Sequence, residues 1–223
     1  CDGGVPRRWQ RSIGMDLGGI PGGYGWLFPK ADHLNVGVGG WQYLAGGLRE
    51  RLAALCAFYG LPVERLRDFR GYSLPVRRPG APLARGRVAL AGDAAGLLDP
   101  LSGEGIYAAI WSGGAAARHA AELLEGRTAL LDGYAAAVER ELAPDLLASR
   151  RFQELFYLLP AIYLGLLRRS DRIWTLLAGL IRGEQSYVGF KRRLGPLGWA
   201  VDAGSLAVRA TPLRGAAGLP PGE

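Results

Sequence analysis

One string limits what this chain can fold into more than any other: "RVALAGDAAGLLDPLSGEGIYAAI", residues 87–110. "VALAG" is a nearly all-apolar run of the kind found in strands buried on both faces. Gly92 can let another backbone or a ligand approach closely. Asp93 follows at the carboxyl end of that strand, where ligands of parallel α/β sheets bind. A carboxylate there can accept hydrogen bonds from sugar or polyol hydroxyls, and Ala94 and Ala95 leave room. "SGEGI" then opens an Ala-rich helix. Gly103 and Gly105 expose backbone N–H groups at its start, where unpaired donors and the helix dipole attract electron-rich atoms such as a phosphate. A plainer reading stays open: Asp93 caps a turn, and Ser102 with Glu104 only starts a helix.

The rest of the chain places this unit. "YGWLF" and "HLNVGVGG" alternate in the manner of strands, and "PKAD" between them reads as a hairpin turn. Residues 43–59 carry Leu44, Leu48, Leu52, Leu55 and Tyr59 at helical steps, ended by Gly60 and Pro62. "GYSLPVR" reads as a short strand, and Pro79 to Pro82 as a loop. Residues 104–125 read as one helix ending at Gly126, and Asp132 as the cap of a second helix running to about Leu142. The tract after Pro144 reads as two or three helices broken by Pro160, Gly165, Gly179 or Gly183. Residues 211–223 read as a disordered tail. The order is α+β, with an antiparallel sheet, one buried strand–turn–helix unit and C-terminal helices.

Charge narrows the partners. The 223 residues carry a net +7. Between Arg150 and Arg193 nine basic residues face three acidic ones, which accounts for +6 of it. Such a segment suits anionic lipid or a phosphorylated substrate. No zinc-finger, basic-zipper or RNA-binding signature accompanies it, so no nucleic-acid partner is expected. With two His and two Cys, no metal site is expected, and Cys56 reads as a small buried hydrophobe. The longest uncharged run in the basic region, Leu155 to Leu167, has 13 residues. That falls short of the roughly 18–20 that cross a bilayer but can lie on one. A cytoplasmic protein with peripheral membrane contact through 151–193 is expected.

Two motifs carry a family resemblance. "GDAAGLLDPLSGEGI" resembles the second flavin-binding motif of the flavoprotein hydroxylase superfamily. "PGGYGWLFPKADHLNVGVG" resembles the aromatic box of its geranylgeranyl reductase branch, here Pro21, Tyr24, Trp26, Phe28, Pro29 and Lys30, closing on Gly37 and Gly39. Together they cover about residues 20–125. The resemblance implies part of a Rossmann-like FAD/NAD(P)-binding flavoprotein fold. It assigns residues 1–80 to a substrate-binding sheet with an inserted helix, 81–130 to the second FAD-binding motif, and 131–210 to a basic helical region.

For the cofactor FAD, the resemblance implies contacts from Gly92, Asp93 and Ala94 to the ribityl and diphosphate region. Gly103, Glu104, Gly105 and Ile106 would lie against the pyrimidine edge of the flavin ring, with Pro100 shaping the loop over it. For the substrate it implies Tyr24, Trp26, Phe28, Pro29 and Lys30. Alternation puts the three aromatic residues on one face of a strand. A stripe of that kind suits either an apolar cavity or a core, and Lys30 either a phosphate headgroup or a solvated turn.

The activity implied is FAD-dependent reduction of carbon–carbon double bonds in an isoprenoid lipid, with NAD(P)H or ferredoxin as the open alternatives for reductant. Asp93, Glu104, Tyr24 and His33 are available by type as the proton donor, and spacing does not choose among them. A monooxygenase or halogenase shares the Gly-Asp motif but need not carry the aromatic box. A non-enzymatic lipid-binding remnant is the third reading. The Gly-x-Gly-x-x-Gly unit of the family does not occur in these residues. An additional N-terminal part of roughly 100–150 residues is therefore expected, and with it weak FAD binding and no activity by this segment alone. Asp93 and Gly103–Ile106 are expected to converge on one pocket.

Overall fold

The structure is a computed structural model that describes residues 5–17, 19–20, 22–41, 46–78 and 80–210. Pro21, Leu44 and the tail 211–223 lie outside the described residues. The chain divides into two compact units. The first comprises Cys1–Tyr72, Glu154–Leu164 and Leu206–Glu223; the second comprises Ser73–Gln153 and Gly165–Ser205.

The first unit is built on a three-stranded antiparallel sheet, β1 (Gly14–Asp16), β2 (Tyr24–Pro29) and β3 (Leu34–Gly39), in that order. The "PKAD" turn joins β2 to β3, with Pro29 opposite Leu34 and Tyr24 opposite Gly39. The Lys30 N–H donates to the His33 carbonyl at 2.8 Å. One sheet face is the core: Leu27, Leu34, Cys56 and Leu61 cluster there, covered by helix α1 (Leu48–Phe58). Gly60, at φ 64°, ends α1 in the left-handed conformation that glycine adopts without strain. In the same unit the fully buried Glu154 receives Nε and Nη2 of Arg209, the closest approach being 2.7 Å. A buried carboxylate is tolerated when it is paired in this forked geometry.

In the second unit, β4 (Ala84–Arg85) and β5 (Val88–Ala89) form a two-residue antiparallel ladder. Helices α2 (Ile106–Leu124) and α3 (Asp132–Glu141) follow. Leu83, Ala95, Leu97, Ala108, Ala115, Tyr134, Val138 and Leu142 form their shared core. Three segments of this unit differ from their sequence pattern. The "VALAG" strand is short and exposed rather than buried on both faces: Val88 is 67% and Leu90 42% exposed. A buried parallel strand needs a neighbour on each side, and among the described residues β5 pairs with β4 alone. "GYSLPVR" forms no strand; Pro75 has no N–H to give a ladder, and the segment is held instead by Arg77 N–H donating to the Gly96 carbonyl at 2.8 Å. Asp132 lies inside the first turn of α3, with Leu131 as its N-cap.

The helical tract divides into five rather than two or three: α4 (Ala143–Leu158), α5 (Pro160–Arg169), α6 (Asp171–Ile181), α7 (Tyr187–Arg193) and α8 (Pro196–Ala210). The breaks come from caps and from Gly183, which ends α6 at φ 71°. Pro160 and Pro196 stand at first helical positions, where a missing N–H costs nothing. The hydroxyls of Ser170 and Ser186 accept from Ile173 N–H (3.3 Å) and Gly189 N–H (3.0 Å). Gly165 and Gly179 sit inside continuous helices.

Lys191 on α7 and Arg151 on α4 both donate to Asp202 on α8, at 2.8 and 2.7 Å. Partial burial raises the Asp202 carboxyl, but these hydrogen bonds and positive charges outweigh it and hold the group below its usual 3.8. A depressed folded value stabilises the fold above the unfolded pKa, and that stability is lost as pH falls through the folded value. Asp202→Asn should therefore lower the urea midpoint above about pH 4. The gap to the parent chain should close on further acidification, as read by circular dichroism across a pH series.

Candidate functional site

The Gly-Asp turn is fixed from beneath by two hydroxyls. Gly92, at φ 55°, donates its N–H to the buried Ser112 Oγ at 2.9 Å. Tyr134 OH donates to the Leu90 carbonyl at 2.6 Å. Burial, chiefly, raises the Tyr134 phenol above its ordinary value, which keeps it a donor. A Cβ at Gly92 would stand 3.0 Å from Ala109 Cβ on α2, so both backbone conformation and helix approach require glycine. The turn closes with Gly96 N–H on the Asp93 carbonyl (2.9 Å) and Leu97 N–H on the Gly92 carbonyl (3.1 Å). The side chains of Asp93 and Ala94 are left exposed.

Asp93 points toward the start of α2. A Cβ on Gly105 would stand 2.7 Å from Asp93 Oδ1. The carboxylate thus rests against bare backbone at the helix N-cap. The loop between them is tightly closed: Asp99 N–H donates to the Glu104 carbonyl (2.8 Å), and Gly103 N–H, at φ 72°, to the Asp99 carbonyl (2.9 Å). Glu104 Oε1 accepts from Ile106 N–H at 2.5 Å and Tyr107 N–H at 3.0 Å. The side chain of Glu104 therefore covers two of the donors that an electron-rich ligand would use, and such a ligand competes with it. Pro100 is buried, while Ile106, Tyr107 and Ile110 are exposed on the first turns of α2.

What holds this loop is the Asp99 carboxylate, which no local sequence pattern marks. Asp99 Oδ1 accepts from Leu101 N–H (3.0 Å) and from Ser149 Oγ; Oδ2 accepts from Ser102 Oγ (2.7 Å) and Tyr187 OH (2.6 Å). Burial first, then the Asp99 charge and hydrogen bond, push the Tyr187 phenol far above its ordinary range. Tyr187 lies 88 residues from Asp99, so no local pattern links them.

In the first unit the aromatic residues share the half-buried face of β2, opposite the core face of Gly25 and Leu27. Ring centroids of Tyr24 and Trp26 are 5.8 Å apart, and those of Trp26 and Phe28 are 6.4 Å apart. Trp26 Nε1 donates to Asn35 Oδ1 at 2.7 Å, and any side chain at Gly37 would overlap the Trp26 ring. The stripe is thus not the core of its sheet. Pro29 is half-buried, and Lys30 is exposed in the turn. His33 Nδ1 is 2.6 Å from the Asp32 carboxylate, also in the turn. Among the described residues no group of His, Cys, Asp and Glu is arranged to hold a metal ion.

No family model matches the chain. Over 105 residues it is 39% identical to geranylgeranyl diphosphate reductase of Nicotiana tabacum chloroplasts, covering 45% of this chain and 21% of that protein. Over 97 residues it is 36% identical to digeranylgeranylglycerophospholipid reductase of Methanocaldococcus jannaschii, covering 40% of this chain and 24% of that protein. These relatives are geranylgeranyl reductases. A crystal structure of a geranylgeranyl bacteriochlorophyll reductase-like protein from Thermoplasma acidophilum matches with a TM-score of 0.52 and 26% identity, over 61% of this chain and 37% of that one. The chain thus spans between a fifth and a quarter of the length of the two curated relatives.

Two substitutions of the same kind should have opposite signs in this chain. Gly92→Ala should destabilise by about 2 kcal/mol, from left-handed strain and the Ala109 contact. Gly113→Ala, on an exposed turn of α2 with open space around it, should stabilise by about 0.5 kcal/mol. Urea denaturation of both variants measures the difference, and equal effects would contradict the geometry.

Proposed function

We propose that this chain supplies the cofactor-facing and substrate-facing portion of an FAD-dependent reductase acting on carbon–carbon double bonds of an isoprenoid chain. The observation that carries the reading is the Asp93 carboxylate set against Gly105 at the start of α2. It is an exposed acceptor beside bare backbone, which fits a polyol chain running past a helix N-terminus. The residues present thus fit a flavin. Asp93 would accept from ribityl hydroxyls, Gly92 would hold the turn against α2, Gly103 would allow close backbone approach, and the 99–105 loop would lie along the ring. When bound, reduced flavin supplies a hydride to one alkene carbon, while a proton adds to the other. The chain's own part is to hold the ring and exclude water. Glu104 is engaged at the helix start, where its carboxylate accepts from Ile106 and Tyr107 N–H.

The aromatic stripe supports an apolar substrate. Tyr24, Trp26 and Phe28 offer contiguous ring surface outside their own core, of the kind that lines sites for long hydrocarbon chains. Pro29 ends the stripe, and Lys30 follows with an exposed ammonium suited to a phosphate headgroup. No described helix is long and apolar enough to cross a membrane. Peripheral contact with a lipid surface is supported by α6, which exposes Trp174 near Arg172, and by the exposed Arg168 and Arg169 that end α5.

The test uses the protein expressed from its whole reading frame. It should retain yellow flavin and, under nitrogen with a reductant, add one hydrogen molecule per double bond to a geranylgeranyl lipid. Asp93→Ala should weaken flavin retention about ten-fold or more. A product that requires oxygen and gains an oxygen atom would make the protein a monooxygenase. Absence of flavin from both parent and variant would leave the lipid-binding reading.

A further inference from the structure

One face of α4 carries a polar stripe at helical spacing: Asp145, Ser149 and Gln153. Ser149 and Gln153 are 0% and 4% exposed, positions where an apolar residue would ordinarily stand. Both direct hydrogen bonds at the 99–101 segment, while Gln153 Oε1 stays buried without a hydrogen-bond partner among the described residues. Ser149 Oγ donates to Asp99 and accepts from Leu101 N–H at 3.2 Å. Gln153 Nε2 donates to the Pro100 carbonyl at 2.5 Å. Asp145 Oδ1 accepts from Val188 N–H at 2.9 Å, which anchors the start of α7. The residue beside it, Tyr187, then reaches Asp99 Oδ2 at 2.6 Å, its ring tilted against Phe152 at 6.2 Å.

These bonds converge on residues 99–101, the near end of the loop whose far end is the Gly105 N-cap of α2. Buried polar groups cost free energy unless satisfied, and when satisfied they favour one arrangement over its neighbours. A loop held only by apolar packing could slide by a fraction of an ångström; one whose carboxylate is held by three hydroxyls and an N–H cannot without losing them.

We propose that Tyr187, Ser149 and Gln153 are positioning residues that set the 99–105 loop, and through it the Asp93–Gly105 contact surface, in the geometry a flavin requires. The inference rests on the flavin reading above. It adds that helices well downstream in the chain determine how that surface is presented.

The experiment compares the whole-reading-frame protein with Tyr187→Phe, Ser149→Ala and Gln153→Leu. Three readouts are taken: amide hydrogen exchange without flavin, FAD affinity by fluorescence titration, and thermal midpoint. Tyr187→Phe and Ser149→Ala should each speed exchange across 99–107 about ten-fold, leave 115–124 unchanged, and weaken FAD about ten-fold. They should also shift the bound flavin's visible band, which a loss of general stability would not. If Tyr187→Phe fails to fold, Gln153→Leu carries the same expectations. Unchanged exchange in 99–107 overturns the inference, as does faster exchange with unaltered FAD affinity. If the parent protein binds no FAD, the flavin reading itself has failed, and the parent titration shows this independently of the variants.

Discussion

The carboxylate of Asp99 is the point on which the 99–105 loop of the second unit depends. It is half-buried, and its charge is matched by hydroxyls of Ser102, Ser149 and Tyr187 and by an N–H, rather than by a cation. That arrangement joins a loop, α4 and α7, which are far apart in sequence. An ion pair would satisfy the charge with less directional demand; three hydroxyls and an amide fix the carboxylate plane. The plane fixes the loop, and the loop fixes where α2 begins. From that follow the exposed first turn of α2 and the contact between Asp93 and Gly105.

The Gly-Asp turn is built on the same principle from the other side. Ser112 and Tyr134, both buried, spend their hydroxyls on the backbone of Gly92 and Leu90. Asp93 therefore leaves a rigid base with its own oxygens uncommitted to that base. In the first unit the sheet separates its faces cleanly: Leu27 and Leu34 pack inward with Cys56, while Tyr24, Trp26 and Phe28 lie on the other face. Sequence similarity to the two curated reductases covers less than half of the chain.

Local features were legible in the residues. The β2–β3 hairpin follows from alternation and a four-residue turn, and α2 from an Ala-rich run behind a Gly-Glu-Gly start. Cys56 was readable as core from the apolar spacing around it. Features set at long range were not. "VALAG" has the composition of a doubly covered strand, yet exposure depends on neighbours that composition does not contain. The number of C-terminal helices turned on Ser170 and Ser186, polar residues whose capping role shows only once a hydroxyl meets a backbone N–H. The sequence leaves open whether Glu104 starts a helix or meets a ligand through its backbone; its side chain caps α2. Tyr187 carried no local signal, because its partner lies 88 residues away.

The central claim is that Asp93 and the start of α2 form a flavin-contacting surface. Backbone amide chemical shifts, followed while FAD is titrated into the flavin-stripped protein expressed from its whole reading frame, test it most directly. The account predicts perturbations concentrated at Gly92–Ala95 and Gly103–Tyr107, larger than those in the basic helices α6 and α7. Shifts confined to the basic helices, or none at saturating FAD, would contradict it.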